Sequence, residues 1–594
     1  MAIAGIGGAS MIPSSSGGDG AALGQDIFVR EQGSITFNLN NTLAIATPIE
    51  GDQTSGPNTT GGLYKIGEGT LELNGANTYS GITSVQQGTL NLNGSVIGSV
   101  VVGAQATLSG NATLMGNLTN SGILSPGNSI GTINTANLAL TPFSFLEMEV
   151  ASDGTHDLIA VTGTAQINGI LEVIPLSESF QTLQSYTLIT ATSGMTGIFS
   201  TIESSVPSLL SVIYEPNAVV VEVLPLEAIG LDSNASAAAF CYLGGGITTG
   251  SDVEAVSAAL LTLDPDGINN SFNQMQPSQF SGLTWNQIQN ALLIRSSYFQ
   301  HLEEVDLSSN CCNSLHVWGE ALGAWQKQNS YGQQFGYTDW IGGGTIGVDA
   351  VGNNEFRLGT AASYTYSRLN WNQSAGHANI NSYYAGLYTN WSNGAGYVNA
   401  TLLGAYSHYQ SDRHLHFATI NRHARASHNS WEGLVGLEAG LNFCRGEYRE
   451  IIPFIGVDYI YLSQQKLIES GASSLNLRVA KNKGEVIQSE FGVIWTRRYL
   501  SKNSCVPGTI VPRIKLSYIN DASLTNRHLQ ASFVGSGCTF TVQGLRFLHN
   551  QGAASLGLTY LNCNETLGVT LRYDGQFSKN YYIQALNTAV EIKF

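Results

Sequence analysis

Thr588-Ala589-Val590-Glu591-Ile592-Lys593-Phe594 closes the chain in strict alternation. Successive side chains of a strand point to opposite sides. Phe594, Ile592, Val590 and Thr588 therefore share one face, and Lys593, Glu591 and Ala589 the other. The same period recurs upstream. Leu315, Val317, Gly319, Ala321, Gly323 and Trp325 lie opposite His316, Trp318, Glu320 and Gln326. Trp431, Val435, Leu437, Ala439, Leu441 and Phe443 oppose Glu432 and Glu438. Ile510, Ile514, Leu516 and Tyr518 oppose Arg513 and Lys515, and Leu567, Val569, Leu571, Tyr573 and Phe577 oppose Arg572, Asp574 and Gln576.

About twelve such segments can be counted, near 315–327, 340–350, 355–370, 377–391, 396–412, 428–443, 448–463, 484–500, 509–520, 552–562, 564–577 and 580–594. Nearly every one carries a charged face, and no separate apolar layer exists to cover so many apolar faces. The sequence therefore predicts a closed antiparallel barrel whose apolar side meets lipid and whose ionic side encloses a lumen. Closure matters because lipid cannot satisfy free backbone edges. Glu320, Glu432, Glu438, Arg513, Lys515, Arg572 and Asp574 are the expected lumen-facing residues, and Trp340, Trp371, Trp391 and Tyr499 the expected aromatic girdles. The long interruption Asp521–Asn550 is expected as an extracellular loop or extended hairpin.

Composition agrees. Only 11% of the 594 residues are charged, against roughly 25% in soluble globular proteins. No stretch of about 18 apolar residues can span as a helix. A formal charge of −17 excludes nucleic acid as a partner, since phosphate binding needs concentrated Lys and Arg.

The amino-terminal half carries a repeat. Gly69-Thr-Leu-Glu-Leu-Asn-Gly75 returns as Gly88-Thr-Leu-Asn-Leu-Asn-Gly94, 19 positions later, and Gly110, Gly116 and Gly122 recur with Leu108 and Leu114 in step. Repeats of this size bury a core only when stacked as a solenoid. The stem is expected over 61–225, preceded by a poorly typed segment 1–60 that reads as a truncated earlier coil. Between 226 and 307 the period turns helical. Asp252–Leu263 predicts a short helix and Asp264-Pro-Asp-Gly a turn. Phe280, Leu283, Ile288, Leu292, Phe299 and Leu302 then mark a helix over Trp285–Asp306, with Gln287, Gln289, Asn290, Arg295 and Gln300 suited to a wet lumen.

Gly62-Leu-Tyr-Lys-Ile-Gly-Glu-Gly-Thr-Leu-Glu-Leu-Asn-Gly-Ala-Asn-Thr-Tyr-Ser-Gly resembles the passenger-associated strand repeat of autotransporters, the type V secretion family. Ser125-Pro-Gly-Asn-Ser-Ile-Gly-Thr and Thr155-His-Asp-Leu-Ile-Ala-Val-Thr-Gly resemble phrases of its passenger stems, and Gln465–Val479, with Glu469 and Gly471, resembles its translocator. The resemblance covers roughly 61–594 and implies an all-β chain: an N-terminal parallel β-solenoid (β-helix) passenger and a C-terminal 12-stranded antiparallel transmembrane β-barrel, 308–594, with a lumenal α-helix. It implies that the helix bearing Ile288, Leu292, Arg295, Phe299 and Leu302 threads the pore. It also implies that Phe594, Ile592 and Val590 form the signal read by the barrel-assembly machinery. Asn269-Asn270 could serve a passenger release by asparagine cyclisation, although Gly267-Ile-Asn-Asn reads as a turn.

Several candidates for chemistry are weak. Gly127-Asn-Ser129-Ile-Gly131 matches G-x-S-x-G, but a nucleophile elbow needs a following helix, and more strand follows here. His156 and Asp157 are adjacent on a strand and cannot both orient toward one serine. His414, His416, His423 and His428 are irregularly spaced among Arg413, Arg422 and Arg425, so a basic loop is preferred to a metal site. Seven cysteines form no CxxC pair, and Cys311-Cys312 could cross-link chains or remain reduced.

The sequence thus predicts an outer-membrane autotransporter that displays its own solenoid, with no catalytic, metal or cofactor residues assigned. Its expected partners are outer-membrane lipid, the assembly machinery, periplasmic chaperones, and host-cell or surface ligands. Adhesion or surface interaction is the expected passenger role. The alternatives are a surface-displayed protease or esterase whose catalytic part lies upstream, and a plain outer-membrane channel. Met1-Ala-Ile-Ala-Gly-Ile-Gly-Gly lacks a basic n-region and a continuous apolar h-region, so the secretion signal is expected upstream.

Overall fold

The structure, a computed structural model, describes residues 27–30, 33–51, 62–176, 183–305, 314–332, 334–352, 356–393, 395–443, 449–501, 508–525, 527–546 and 550–594. The chain forms two compact units, chiefly the residues up to Asp232 with Ala239–Asn270, and Ser271–His416 with Ile420–Phe594.

The first unit is a three-sided parallel solenoid. One ladder runs through Ile35–Asn38, Leu63–Ile66, Thr83–Leu92, Val100–Gly110, Leu118–Asn120, Leu138–Leu140 and Ala165–Ile167. A second takes the repeat itself: Thr70 pairs Thr89, Leu71 pairs Leu90, and Leu73 pairs Leu92, so the 19-residue offset is one coil. Following the register upward gives a column of Leu71, Leu90, Leu108, Leu124, Leu146, Leu171 and Ile202. All seven are fully buried. Each such burial contributes about 1.5–3 kcal/mol relative to exposure. Gly110, Gly116 and Gly122 are the three corners of a single coil, which explains their six-residue spacing. At Gly110, φ is +99° and a Cβ would meet the Leu92 carbonyl oxygen at 2.4 Å, so only glycine fits. The described part of 1–60 adds an earlier coil, with Leu43–Ile45 on Leu71–Leu73.

Antiparallel strands end the stack. Ala218–Pro225 pairs Gln184–Ala191 and is itself covered by Ser208–Tyr214, while Ile247–Thr248 pairs Thr201–Ile202. These strands cover the edge that a parallel stack leaves open. Four helices follow: α1 Ser233–Leu243, α2 Asp252–Leu261, α3 Pro265–Met275 and α4 Ser281–Val305. The expected turn at Asp264-Pro-Asp-Gly and through Asn269-Asn270 is instead the start of α3. The Asp264 carboxylate accepts the Gly267 N–H at 2.8 Å, an N-cap, and Pro265 holds the first helical position.

The second unit is a closed antiparallel barrel of twelve strands: Leu315–Gln328 (β1), Tyr337–Gly352 (β2), Phe356–Trp371 (β3), Gly376–Ser392 (β4), Gly396–Phe417 (β5), Ile420–Leu441 (β6), Arg449–Gln464 (β7), Asn482–Arg497 (β8), Gly508–Ser523 (β9), Asn550–Asn562 (β10), Leu567–Phe577 (β11) and Tyr581–Lys593 (β12). First and last strands pair, with Val317 opposite Ile592 and Gly319 opposite Val590, and the Phe594 N–H donates to the Leu315 carbonyl at 2.9 Å. The long connections after β7 and β9 lie at one end and build a small sheet from Leu467–Ile468, Leu477–Val479, His528–Phe533 and Phe540–Gln543. Short connections, beside Leu315 and Phe594, lie at the other. Long loops belong outside the cell and short turns in the periplasm, which orients the barrel.

Candidate functional site, a helix seated in the barrel

Alternation sorts the barrel wall. Leu358, Leu402, Leu437, Leu516, Leu571 and Leu586 are more than half exposed, while the intervening positions are buried around α4. From Gln279 to Leu302 all but Leu293 and Ser296 are buried, on every side of the helix. Only an enclosing wall can bury a helix that presents Gln287, Gln289, Asn290 and Arg295 alongside Ile288, Leu292, Phe299 and Leu302.

The polar pairing runs the length of the lumen. At the outer end the Trp371 indole N–H donates to the Gln279 carbonyl at 3.0 Å, and the Thr284 hydroxyl donates to Gln464 at 2.7 Å. One turn inward, the Asn286 amide donates to Asp339, which also accepts from Gln326 and Ser367. The Gln287 amide donates to Tyr384 at 3.0 Å and Glu432 at 3.1 Å, and accepts from the Ser382 hydroxyl. At mid-lumen Arg295 Nε donates to Asp458 at 2.8 Å, and its Nη1 lies 3.8 Å from both Glu438 and Glu490. Lys515 bridges the same two glutamates at 3.3 and 3.2 Å, and the Tyr397 hydroxyl donates to Glu438. Three carboxylates thus share two cations. Lower down, Glu320 accepts from the Ser297 hydroxyl at 2.6 Å and from Arg572 at 3.0 Å, and Arg572 also reaches Asp574 at 2.9 Å. At the periplasmic end His301 Nε2 lies 2.7 Å from Asp349 and its ring stacks on Trp318 at 4.3 Å. His316 meets Glu591 at 2.6 Å.

Shape is matched as well as charge. A Cβ on Gly386 of β4 would come within 2.6 Å of the Tyr298 ring, so this glycine makes room for the helix.

All seven charged residues expected in the lumen lie on inward positions, Arg513 and Asp574 half-buried and the others buried. Phe594, Ile592 and Val590 point outward at the seam, Phe594 73% exposed. Trp371 is a correction. It faces inward, 3% exposed, and packs edge-on against Phe280, whereas Trp340, Trp391 and Tyr499 are exposed outside. Asn269 and Asn270 are helical and belong to the first unit, and the Asn269 side chain accepts the Asp232 N–H at 3.1 Å. Alternation alone missed Asp339, Asp349, Asp458, Glu490 and His301, although each acid stands at inward parity on its strand.

The other candidates separate. Ser129 and Ile130 have positive φ in a turn that leads into strand Thr132–Thr135. Asp157 accepts the Gly131 N–H at 2.6 Å and the Glu149 N–H at 2.8 Å, so it braces that turn. His156 turns instead to Tyr186 and the Thr187 carbonyl. His414 stacks on His423 at 4.6 Å, His423 pairs Asp412, and His428 stacks inward on Tyr409. Cys563 is free and exposed, while Cys311, Cys312, Cys444 and Cys505 lie outside the described residues.

Residues 317–574 match the family model described as the autotransporter beta-domain, and 63–92 match the passenger-associated-transport repeat. The chain thus carries an autotransporter beta-domain and a passenger-associated-transport repeat. It is an outer-membrane protein. An extracellular serine protease of Serratia marcescens is 24% identical over 628 positions, covering 94% of this chain and 59% of that protein. A second extracellular serine protease of the same organism is 23% identical over 317 positions, 52% of this chain and 29% of its own length. The chain thus spans about three-fifths of the first relative. Among solved structures, the translocator domain of autotransporter NalP from Neisseria meningitidis aligns with a TM-score of 0.42 at 16% identity, covering 52% of this chain and 98% of that one. The beta domain of the Bordetella autotransporter BrkA gives 0.37 at 13% identity, covering 47% and 98%.

Proposed function

We propose that the barrel passes the chain's own solenoid to the cell surface and that α4 is the segment left in the passage when export ends. The observation that carries this reading is the seat of α4. Its amino-terminal end meets Trp371 and Gln464 at the long-loop mouth and its carboxyl-terminal end meets Asp349 at the periplasmic side. A chain leaving α4 toward its amino terminus is therefore directed outward. Stacking of Leu71, Leu90 and Leu108 outside the cell would bias transport in one direction without nucleotide. The assembly machinery would read Phe594, Ile592 and Val590, and periplasmic chaperones would hold the strands before insertion. External protease on intact cells tests this: stem fragments should be released while β1–β12 stay protected. A stem that is digested only after the outer membrane is broken would refute it.

For the stem itself we infer surface interaction. Its corners present stacked amides, Asn93 to Asn74 at 3.0 Å and Asn137 to Asn117 at 2.8 Å, which offer area rather than a reactive group. A second reading is favoured by the names of the Serratia relatives: the chain is the stem and translocator of an extracellular serine protease. Labelling of secreted material with a fluorophosphonate probe separates the two.

A further inference from the structure

On the outward wall, three up-running strands repeat one pattern, near the outer ends of β1 and β3 and midway along β5: an aromatic residue, then a basic residue two positions on. These are Trp325 and Lys327 on β1, Tyr366 and Arg368 on β3, and Tyr406 and His408 on β5. Two residues along a strand keep the face and advance about 6.6 Å, so each basic side chain stands one step beyond its own strand's aromatic residue toward the cell exterior, with Arg368 directly opposite Trp340 of β2. Trp325 leans on Trp340 and Tyr582, and Tyr406 on Trp431, which makes that level a belt rather than scattered rings. Lys483 stands exposed at the outer end of β8, across from Ser463. Between the cations lie amides: Asn379 opposite Arg368 and Asn381 opposite Tyr366, accepting from the Tyr366 and Tyr364 hydroxyls at 3.0 and 2.7 Å. Of the nearby acids, Asp412 is already engaged by His423 and Arg425, and Glu485 is half-buried. Lys327, Arg368 and Lys483 have no carboxylate partner among the described residues.

A cationic ring is unexpected on a chain of net charge −17, and its height gives it meaning. Aromatic belts sit at the headgroup boundary, so groups level with them or one step beyond meet headgroups. Arg and Lys donors favour phosphate. We propose that Lys327, Arg368 and Lys483, with His408 and the flanking amides, form a binding ring for phosphate-bearing lipid headgroups of the outer leaflet. The occupant is lipid because the ring is continuous with the apolar wall below it, which would hold the acyl chains. The ring would fix the depth and tilt of the barrel around the export route.

The test uses the full chain in phosphatidylcholine nanodiscs doped with labelled diphosphoryl lipid A or its dephosphorylated analogue, read by energy transfer from the belt tryptophans. The chain should enrich the diphosphoryl form about tenfold over the analogue, falling with salt. K327Q/R368Q/K483Q should abolish the preference while the barrel keeps its heat-dependent shift on gels. K327R/K483R should retain it. If the triple variant does not fold, the R368Q chain should lose part of the preference alone. Equal enrichment of both lipids, an unchanged triple variant, or complete displacement by inorganic phosphate alone would each overturn the assignment.

Discussion

The stem and the barrel use the same alternation and bury it in opposite directions. In the stem the leucine face turns inward onto the next coil, so Leu71, Leu90, Leu108 and Leu124 are fully buried. In the barrel the leucine face turns outward, so Leu358, Leu437 and Leu571 are each more than half exposed. The polar face does the reverse, lying at solvent in the stem and around α4 in the barrel. A strand's period therefore fixes that it has two faces but not which medium each meets. The companion charges decide that: Glu320, Glu438, Lys515 and Arg572 stand on four different strands and need a common interior.

The sharpest way to break this contrast is to place the same charge on both leucine faces. Leu90→Asp with Leu114→Asp puts carboxylates inside the stacked column and should cost well over about 4 kcal/mol. Surface display of the stem, read by external protease, should then fall to near background. Unchanged display would remove the stacking account of export. Leu571→Arg at the barrel's outer wall should cost about 2–4 kcal/mol, and only in a bilayer. Urea titration of the full chain in vesicles and in detergent would separate the two.

An effect of similar size is expected in the lumen. Arg295→Met leaves Asp458, Glu438 and Glu490 with Lys515 alone, and loss of one partner of a buried ion network costs about 3–5 kcal/mol. The barrel should still close, because its edges are paired without Arg295, but planar-bilayer conductance should rise as α4 loosens. A silent pore would mean that the arginine does not secure the helix.

Much of the architecture is legible in the amino-acid sequence. All twelve strands follow from dyad alternation, and the solenoid from a 19-residue return of Gly-Thr-Leu. The failures have local causes. Asp264-Pro-Asp-Gly contains turn residues, yet the same aspartate and proline start α3. Trp371 reads as a girdle residue from its place at a strand end, whereas parity from Leu358 and Arg357 assigns it inward. The partners of Arg295 are not legible at all, since Asp458, Glu438 and Glu490 are aligned by the hairpin register of β6, β7 and β8, and the helix meets them only inside the barrel.

A weaker effect should appear with pH. Burial pushes the Asp157 carboxyl up to about 6, against the Gly131 and Glu149 N–H groups that favour its anion. Its unfolded value is about 3.9. The folded value is the higher one, so this contribution is complete below about pH 4 and is lost as pH rises through about 6. Amide exchange of Thr132–Thr135 and Leu158–Val161, corrected for intrinsic rates, should show less protection at pH 7.5 than at pH 5, and Asp157→Asn should flatten the dependence. The smallest effect belongs to Ser129→Ala, a turn residue, expected within about 0.5 kcal/mol and without influence on display.

The central claim is that acyl chains cover the outward leucines of β1–β12 while solvent and α4 fill the interior. Diluting the urea-unfolded full chain into buffer, with and without lipid vesicles, tests it most directly. With vesicles the chain should acquire a barrel that shifts on heating and resists external protease over residues 314–594. Without lipid or detergent it should aggregate. A monomeric, soluble, protease-resistant barrel formed in buffer alone would contradict the account.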